Sequence, residues 1–440
     1  MRAAMPGSVV AIACVLAAQS GCFAVEPVGP CGDSTGLFEA GQVCMVPGLD
    51  LTLPGAPWQL RRAVFDGDGV DDLAVGLASG DGRTVFAATE LAGAGKLTQV
   101  ASPAAIQDFV PSFVYGDPTG VQDLATLIET DDLSNGGKLT VHTCGDDVFA
   151  SGESVSFDLR GKTLSLPCIR PVSLAAVGDG VAADIGWGIA CDSMPAPDKS
   201  PVEPADIGFF LSPAIFPSGS FEAYGDPRYS STHAVVATRL NDGAFLDIGF
   251  AAVPSSGNSD VIALTYDNDD VARPSESVVM PGQGLISRLY AADLDGDGVE
   301  EFVALHRKGD VITISRRTQK DPPTYAPLDQ ELYAGVFAVP SPLAAAFGDF
   351  TGDGEVDIAV AFDNEDGTTS VGVYIRWPDQ EPGVFFSSLG ALRTYTDGEA
   401  VVDLMALRVD DDDKPDLAVA LATASGGRLQ VFLNRSPSSG

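Results

Sequence analysis

Seven times along the chain a short apolar run follows directly on an acidic residue. The runs are DLAVGLA from Asp72, DLATLIE from Asp123, DIGWGIA from Asp184, DIGFAAV from Asp247, EFVALHR from Glu301, DIAVAFD from Asp357 and DLAVALA from Asp416. A short stretch of small and β-branched residues bounded by turn signals reads as a strand. An apolar segment enters each acidic loop, as SPLAAAF does before Asp349, and a turn of Gly, Asn or Asp follows the run. A second, alternating strand then returns, as in Ser370 to Trp377, and residues 301–306, the turn Arg307 to Asp310 and residues 311–317 repeat the design. These signals predict antiparallel hairpins, and no stretch has the periodicity and caps of a long helix.

The closing acids are separated by 51, 61, 63, 54, 56 and 59 residues. A period near 57 leaves room for about four strands per unit, too few to bury both faces of a sheet alone. Four-stranded units that must bury their faces against one another are the parts of a β-propeller, and seven lies within the usual range of about 4–8 blades. The expectation is an all-β, seven-bladed β-propeller of four-stranded antiparallel blades. The last unit runs out one strand short, whereas Leu49, Leu51 and Leu53 alternate just before the first unit. Residues 48–54 are therefore expected to supply the missing outer strand and close the ring.

The loops ahead of the closing acids carry the candidate chemistry. In AADLDGDGVEEFVAL, carboxylates at Asp293, Asp295, Asp297 and Glu301 occupy loop positions 1, 3, 5 and 9, with Gly296 and Gly298 between them. Crowded carboxylates repel one another, and a calcium ion with the Val299 carbonyl as a further ligand removes that penalty. The second full set is Asp349, Thr351, Asp353, Glu355 (through its carbonyl) and Asp357. A third loop keeps Asp66, Asp68 and Asp72 but has Val64 at position 1, so weaker binding is expected. A fourth keeps Asp410, Asp412 and Asp416, with Arg408 at position 1 expected to replace the ion by its own charge. The remnants Asp117 to Asp123, Asp179 to Asp184 and Asp242 to Asp247 are short, and their carboxylates are expected to cap turns. The loop and the Ala/Val strand after it resemble the FG-GAP and VCBS repeats of integrin-α-type propellers, across about residues 45–435. That resemblance implies calcium as the bound ion and a ligand-binding face opposite the loops. The insertion Asp192 to Asp206, with four prolines, and Tyr224 to Tyr229 are candidate contacts on that face.

Composition narrows the setting. A net charge of −36 over 440 residues excludes nucleic acid and anionic membrane surfaces as partners. Arg2, the apolar run Val9 to Ala18 and small residues before Cys22 read as a signal peptide. Gln19 to Cys22 resembles a bacterial lipobox, which would make Cys22 a lipidated N-terminus; Gln19 departs from the usual Leu, and simple cleavage after Ala24 stays open. The expected organisation is a signal peptide at 1–21, a Cys-containing segment at 22–47 and the propeller at 48–436. Export permits disulfides. CGDSTGLFEAGQVC resembles the Cys-Gly-Asp preface ahead of repeats in bacterial surface proteins, which implies Cys31–Cys44. Strand direction brings Cys168 and Cys191 to one face, so that pair is expected too and Cys144 is left over.

Catalytic constellations are missing from the sequence. His142, His233 and His306 stand in different units without metal-ligand spacing, and Thr368 to Gly372 falls in a hairpin turn rather than a nucleophile elbow. The sequence points to an exported, calcium-binding, monomeric module that binds a protein or glycan at the cell surface or as an outer-membrane lipoprotein. Two other readings remain: a carbohydrate-binding or polysaccharide-processing protein using carboxylates of a central channel, and an envelope scaffold.

Overall fold

Twenty-eight strands and no helix make up the described residues of the computed structural model. These are residues 43–436 except 81, 114–119, 131–136, 146–147, 150–152, 160–170, 178–185, 192–204, 212–219, 227–228, 240–246, 255–259, 266–275, 282–284, 295, 307–311, 321–322, 332–340, 365, 377–385, 397 and 411. Among them the strands form seven four-stranded antiparallel sheets. Six sheets are meanders of strands consecutive in sequence; the seventh runs Met45–Leu53, Gly426–Asn434, Asp416–Thr423, Ala400–Leu407. The first described strand thus lies on the outer edge of the last sheet, three residues earlier at its start than the alternation of leucines predicts. Leu51 faces Leu429 in that pairing.

The first strands of the seven sheets are Ala56–Ala63, Ile106–Ser112, Pro171–Val177, Tyr229–Thr238, Ile286–Ala292, Pro342–Gly348 and Ala400–Leu407. Each packs beside the next sheet in sequence, and the last packs against Ala56–Ala63 of the first. This is a β-propeller arrangement. Its physical cause shows in the cores, because each described hydrophobic cluster is shared by two successive sheets. Val371 and Val373 of the sixth sheet meet Leu417 and Val419 of the seventh. Leu60 and Val75 of the first meet Ala418 and Leu429 of the seventh, and Leu127 of the second meets Trp187 of the third. The second strands are buried over most of their length, as in Asp416–Thr423, where six successive residues are buried. That explains their unbroken apolar sequence. Small residues let the sheets approach: a Cβ on Gly249 would lie 2.0 Å from Cε1 of Phe302 in the next sheet.

Every first strand contains a register shift near its start, at Pro57/Gln59, Ile106/Asp108, Pro171/Ser173, Tyr229/Ser231, Ile286/Arg288, Pro342/Ala344 and Val401/Asp403. A bulge re-aims the side chain that follows it. In this chain that position carries Asp108, Ser173, Arg288 and Asp403, which matter below. Cys44 and Cys191 are disulfide-bonded, with partners outside the described residues. Cys144 is buried and outside any disulfide, its Sγ 3.3 Å from Phe65 O. No helix among the described residues is long and apolar enough to cross a membrane.

Candidate functional site

The acidic loops join the end of each first strand to the start of the second. In three of them the backbone turns through the same pair of left-handed glycines: Gly67 and Gly69 (φ 68° and 92°), Gly296 and Gly298 (76° and 85°), Gly352 and Gly354 (75° and 91°). Only glycine takes these angles without strain. In the two loops with a carboxylate at position 1, that carboxylate folds the turn around itself. Asp349 Oδ1 accepts the N–H of Gly352 (2.7 Å) and Asp353 (3.0 Å), and Oδ2 accepts that of Gly354 (2.7 Å). Asp293 does the same with Gly296, Asp297 and Gly298. Position 5 then caps position 7, Asp353 to Glu355 N–H at 2.9 Å and Asp297 to Val299 N–H at 3.0 Å. Thr351 donates its hydroxyl to Asp349.

The closing acid sits at the floor of the loop. Asp72, Asp357 and Asp416 are fully buried and Glu301 nearly so. One oxygen accepts the N–H of loop position 2: Phe65 to Asp72 (2.7 Å), Leu294 to Glu301 (2.9 Å), Thr351 to Asp357 (3.0 Å), Val409 to Asp416 (2.9 Å). The other oxygen reaches the end of the third strand, where Arg376 N–H meets Asp357 Oδ1 and Asn434 N–H meets Asp416 Oδ1. Asp123 in the second sheet likewise accepts Cys144 N–H at 2.9 Å. Asp72 is the exception. The equivalent residue, Glu90, leaves its strand in a left-handed conformation (φ 56°), and Asp72 Oδ1 is buried with no hydrogen-bond partner.

Burial pushes Asp72 up to about 7 against the Phe65 N–H, and the charges of Asp66 and Asp68 add to the rise. Burial likewise pushes Asp357 up to about 7 and Asp416 up to about 6, each opposed by two backbone N–H donors. A carboxyl with a raised folded-state value stabilises the fold fully below its unfolded value near 3.8, and loses that contribution as pH rises through the folded value. Without metal, the urea midpoint of the protein in EGTA is therefore expected to fall from pH 5 to pH 8. Calcium, which competes with the proton for the same oxygens, is expected to reverse the trend; a midpoint in EGTA that climbs over this range would contradict the assignment.

Asp66, Asp68, Asp72, Asp293, Asp297, Val299, Glu301, Asp349, Thr351, Asp353, Glu355 and Asp357 all lie in these loops; Asp295 lies outside the described residues. Among the described residues no group of three or more His, Cys, Asp or Glu side chains converges as a metal cluster. Their carboxylates face backbone N–H groups, which leaves lone pairs on the same oxygens for a cation. The donor set, all oxygen with no nitrogen or sulfur, fits a hard cation. The one observation that calls for such an ion is the unpartnered oxygen of Asp72, since a buried polar atom left alone costs about 1–3 kcal/mol.

The seventh loop differs from expectation. Arg408 does not take the place of the ion: its side chain is exposed, and its backbone N–H and C=O pair with Asp71 of the first sheet. Another arginine, Arg435, meets the carboxylates of this loop, from beyond the last strand. Its Nη2 lies 2.7 Å from Asp410 Oδ2 and its Nη1 2.7 Å from Asp412 Oδ2. Burial raises the carboxyl of Asp66 in the first loop, whereas Asp410, at the same loop position, is held low by Arg435 in spite of burial.

The sequence reading missed a second set of residues, the belt joining the first strands. Asp403 Oδ2 accepts Leu60 N–H of the first sheet (2.8 Å) and its Oδ1 accepts Arg288 Nη1 of the fifth (2.6 Å). Asp108 Oδ1 lies 3.5 Å from Arg61 Nη2, and its Oδ2 accepts Ser173 Oγ (3.1 Å) and Leu174 N–H (2.8 Å) of the third sheet. Ser173 in turn accepts Val235 N–H of the fourth sheet, Tyr290 accepts Ala345 N–H of the sixth, and Thr369 accepts Val401 N–H of the seventh. At the loop end, Glu300 and Arg239 join the fifth sheet to the fourth by two bonds. Every junction between successive sheets is bridged. The signal was present in the sequence: Gln59, Arg288, Ala344 and Asp403 each stand 13 residues ahead of a closing acid, and two of them are charges inside an apolar strand.

The fold and the loops define a β-propeller with acidic, glycine-paired turns. No family model matches the chain, and no curated protein is similar to it in sequence. Among solved structures the chain is similar to the β-propeller BBS1N, in its crystal structure with ARL6DN soaked with lead. The TM-score is 0.51 at 12% identity, over 90% of this chain and 98% of that one. At that identity the likeness is one of fold.

Proposed function

We propose that the chain is an exported, calcium-stabilised propeller of seven blades that serves as a non-enzymatic binding module for a protein or glycan at the cell surface. In this reading the seven sheets are the blades, and Met45–Leu53 closes the ring as the outer strand of the last. The loops at Asp293 to Glu301 and Asp349 to Asp357 hold calcium, and the loop at Asp66 to Asp72 holds it more weakly. The observation that carries the metal is the unpartnered Asp72 Oδ1, in a loop whose glycine pair repeats in the other two. FG-GAP or VCBS membership rests on the loop residues alone. The leader at 1–21, lipidation of Cys22 and the pairings Cys31–Cys44 and Cys168–Cys191 complete the picture of an envelope protein; the last has Cys191 already in a disulfide.

The belt favours binding over catalysis. Asp108 and Asp403, the buried carboxylates of the first strands, are occupied by junction hydrogen bonds, so neither is placed as a free acid or base. His142 sits against Thr126 Oγ1 at 3.1 Å, and burial pushes it down to about 4. The ligand face is assigned opposite the loops, where 192–204 and 227–228 lie outside the described residues. The test is capture from envelope extracts on the immobilised full chain, in calcium and in EGTA, beside a glycan array. A partner retained only in calcium supports the module; turnover of a polysaccharide would replace it with the enzymatic reading.

A further inference from the structure

The seventh loop lacks the position-1 carboxylate and the second left-handed glycine. Asp413 stands there instead, at φ 56°. Asp410 and Asp412 are nonetheless ordered as their counterparts are in the first loop: Asp410 Oδ1 accepts Asp412 N–H at 3.3 Å and Asp412 Oδ1 accepts Lys414 N–H at 3.2 Å. Their other oxygens converge on the two Nη atoms of one guanidinium. We propose that Arg435 is a built-in cation that replaces calcium in the seventh loop and braces the segment whose backbone joins the start of the first described strand, so that the seam between first and last strands holds without metal. The proposal rests on the calcium reading of the other loops.

Arg435 is fixed from both sides. Its N–H donates to Cys44 O at 2.7 Å, and Cys44 N–H donates to Ser436 Oγ at 2.9 Å. Asn434 donates its N–H to Asp416 Oδ1, and its Nδ2 to Phe350 O (3.0 Å) and Pro415 O (3.2 Å). Lys414 Nζ donates to Ser436 O. The backbone of residues 434–436 is therefore held by the sixth and seventh loops and by the start of the first strand, and this aims the guanidinium at positions 3 and 5 of the loop. A planar fork with two parallel donors matches two carboxylates, and while Arg435 holds them the loop has too few free oxygens for the six to eight that calcium needs. The seam carries further charge of the same design, since Arg428 pairs with Asp50 on the first strand and with Glu399.

The test counts bound calcium by equilibrium dialysis and follows urea unfolding of the full chain in calcium and in EGTA. The Asp410→Asn/Asp412→Asn protein is expected to unfold at lower urea by the same shift in both media, with its ion count unchanged. Arg435→Gln is expected to unfold at lower urea in EGTA, to recover in calcium, and to bind one ion more than wild type; Arg435→Lys keeps the wild-type count. Loss of one ion from the double variant would show that the seventh loop is itself a calcium site and overturn the proposal. So would an Arg435→Gln protein unchanged in EGTA, or one destabilised there that gains no ion. Wild type with no bound calcium would defeat the calcium reading separately, while the shifts in EGTA would still decide the role of Arg435.

Discussion

Asp403→Ala is expected to lower the unfolding free energy by about 3 kcal/mol, the lower end of the range for breaking a buried ion pair. The Asp403 side chain keeps 3% of its surface and Arg288 keeps 26%, so the abandoned guanidinium recovers some water and the upper end is not reached. Burial acts to lower the Arg288 value, yet the charge of Asp403 holds it above the ordinary arginine range. The same substitution strips the partner from Leu60 N–H in the first sheet. Arg288 reaches from the fifth sheet to the seventh, past a first strand in the sixth that carries only alanine at 344–346. Its second Nη donates to Val402 O at 3.0 Å. The loss therefore falls on three sheets at once. Urea unfolding at pH 7 measures it, with Asp366→Ala on an exposed turn as the reference change. The pairing of Asp403→Leu with Arg288→Met should recover part of the loss, since no charge is then left buried. A loss under 1 kcal/mol for Asp403→Ala would mean that the belt does not hold the sheets together.

What the sequence made legible was local. The run after each acid is buried on both faces, so its composition announced a strand wherever it occurred, and the fixed period announced a repeat. The glycine pairs were equally plain, because their angles exclude other residues. The junctions were not legible by the same route. Asp403 lies 343 residues from Leu60 and Arg288 lies 115 from Asp403, so nothing near either residue shows what it will meet. The position-8 residues show the same gap: Asp71, Gln122 and Glu300 bond to the backbone of the preceding loop at Arg408, Val64 and Arg239. Arg408 is a related case. It stands at a ligand position in the repeat, but its backbone is committed to Asp71, and the cation that reaches the loop comes from outside the repeat, at Arg435.

Removal of calcium is expected to have the largest effect of all. An ion at a hundred times its dissociation constant stabilises a fold by about 2.7 kcal/mol per site, so the loops of the fifth and sixth sheets together lose about 5 kcal/mol in EGTA. Asp349→Ala should abolish the share of the sixth loop, because it removes the position-1 ligand and the acceptor of three backbone N–H groups. In EGTA that protein should still be less stable than wild type, by the loss of the turn. Asp353→Ala removes a single N–H cap and should cost far less without metal while still abolishing the calcium response of its loop. The contrast separates the carboxylate that builds the turn from the one that chiefly serves the ion. It also locates the effect, since EGTA should loosen amide exchange in the fifth and sixth loops while Asn434 N–H, bonded to Asp416, stays protected at the seam. Identical unfolding of wild type in calcium and in EGTA would remove the metal from these loops and leave their carboxylates as turn caps.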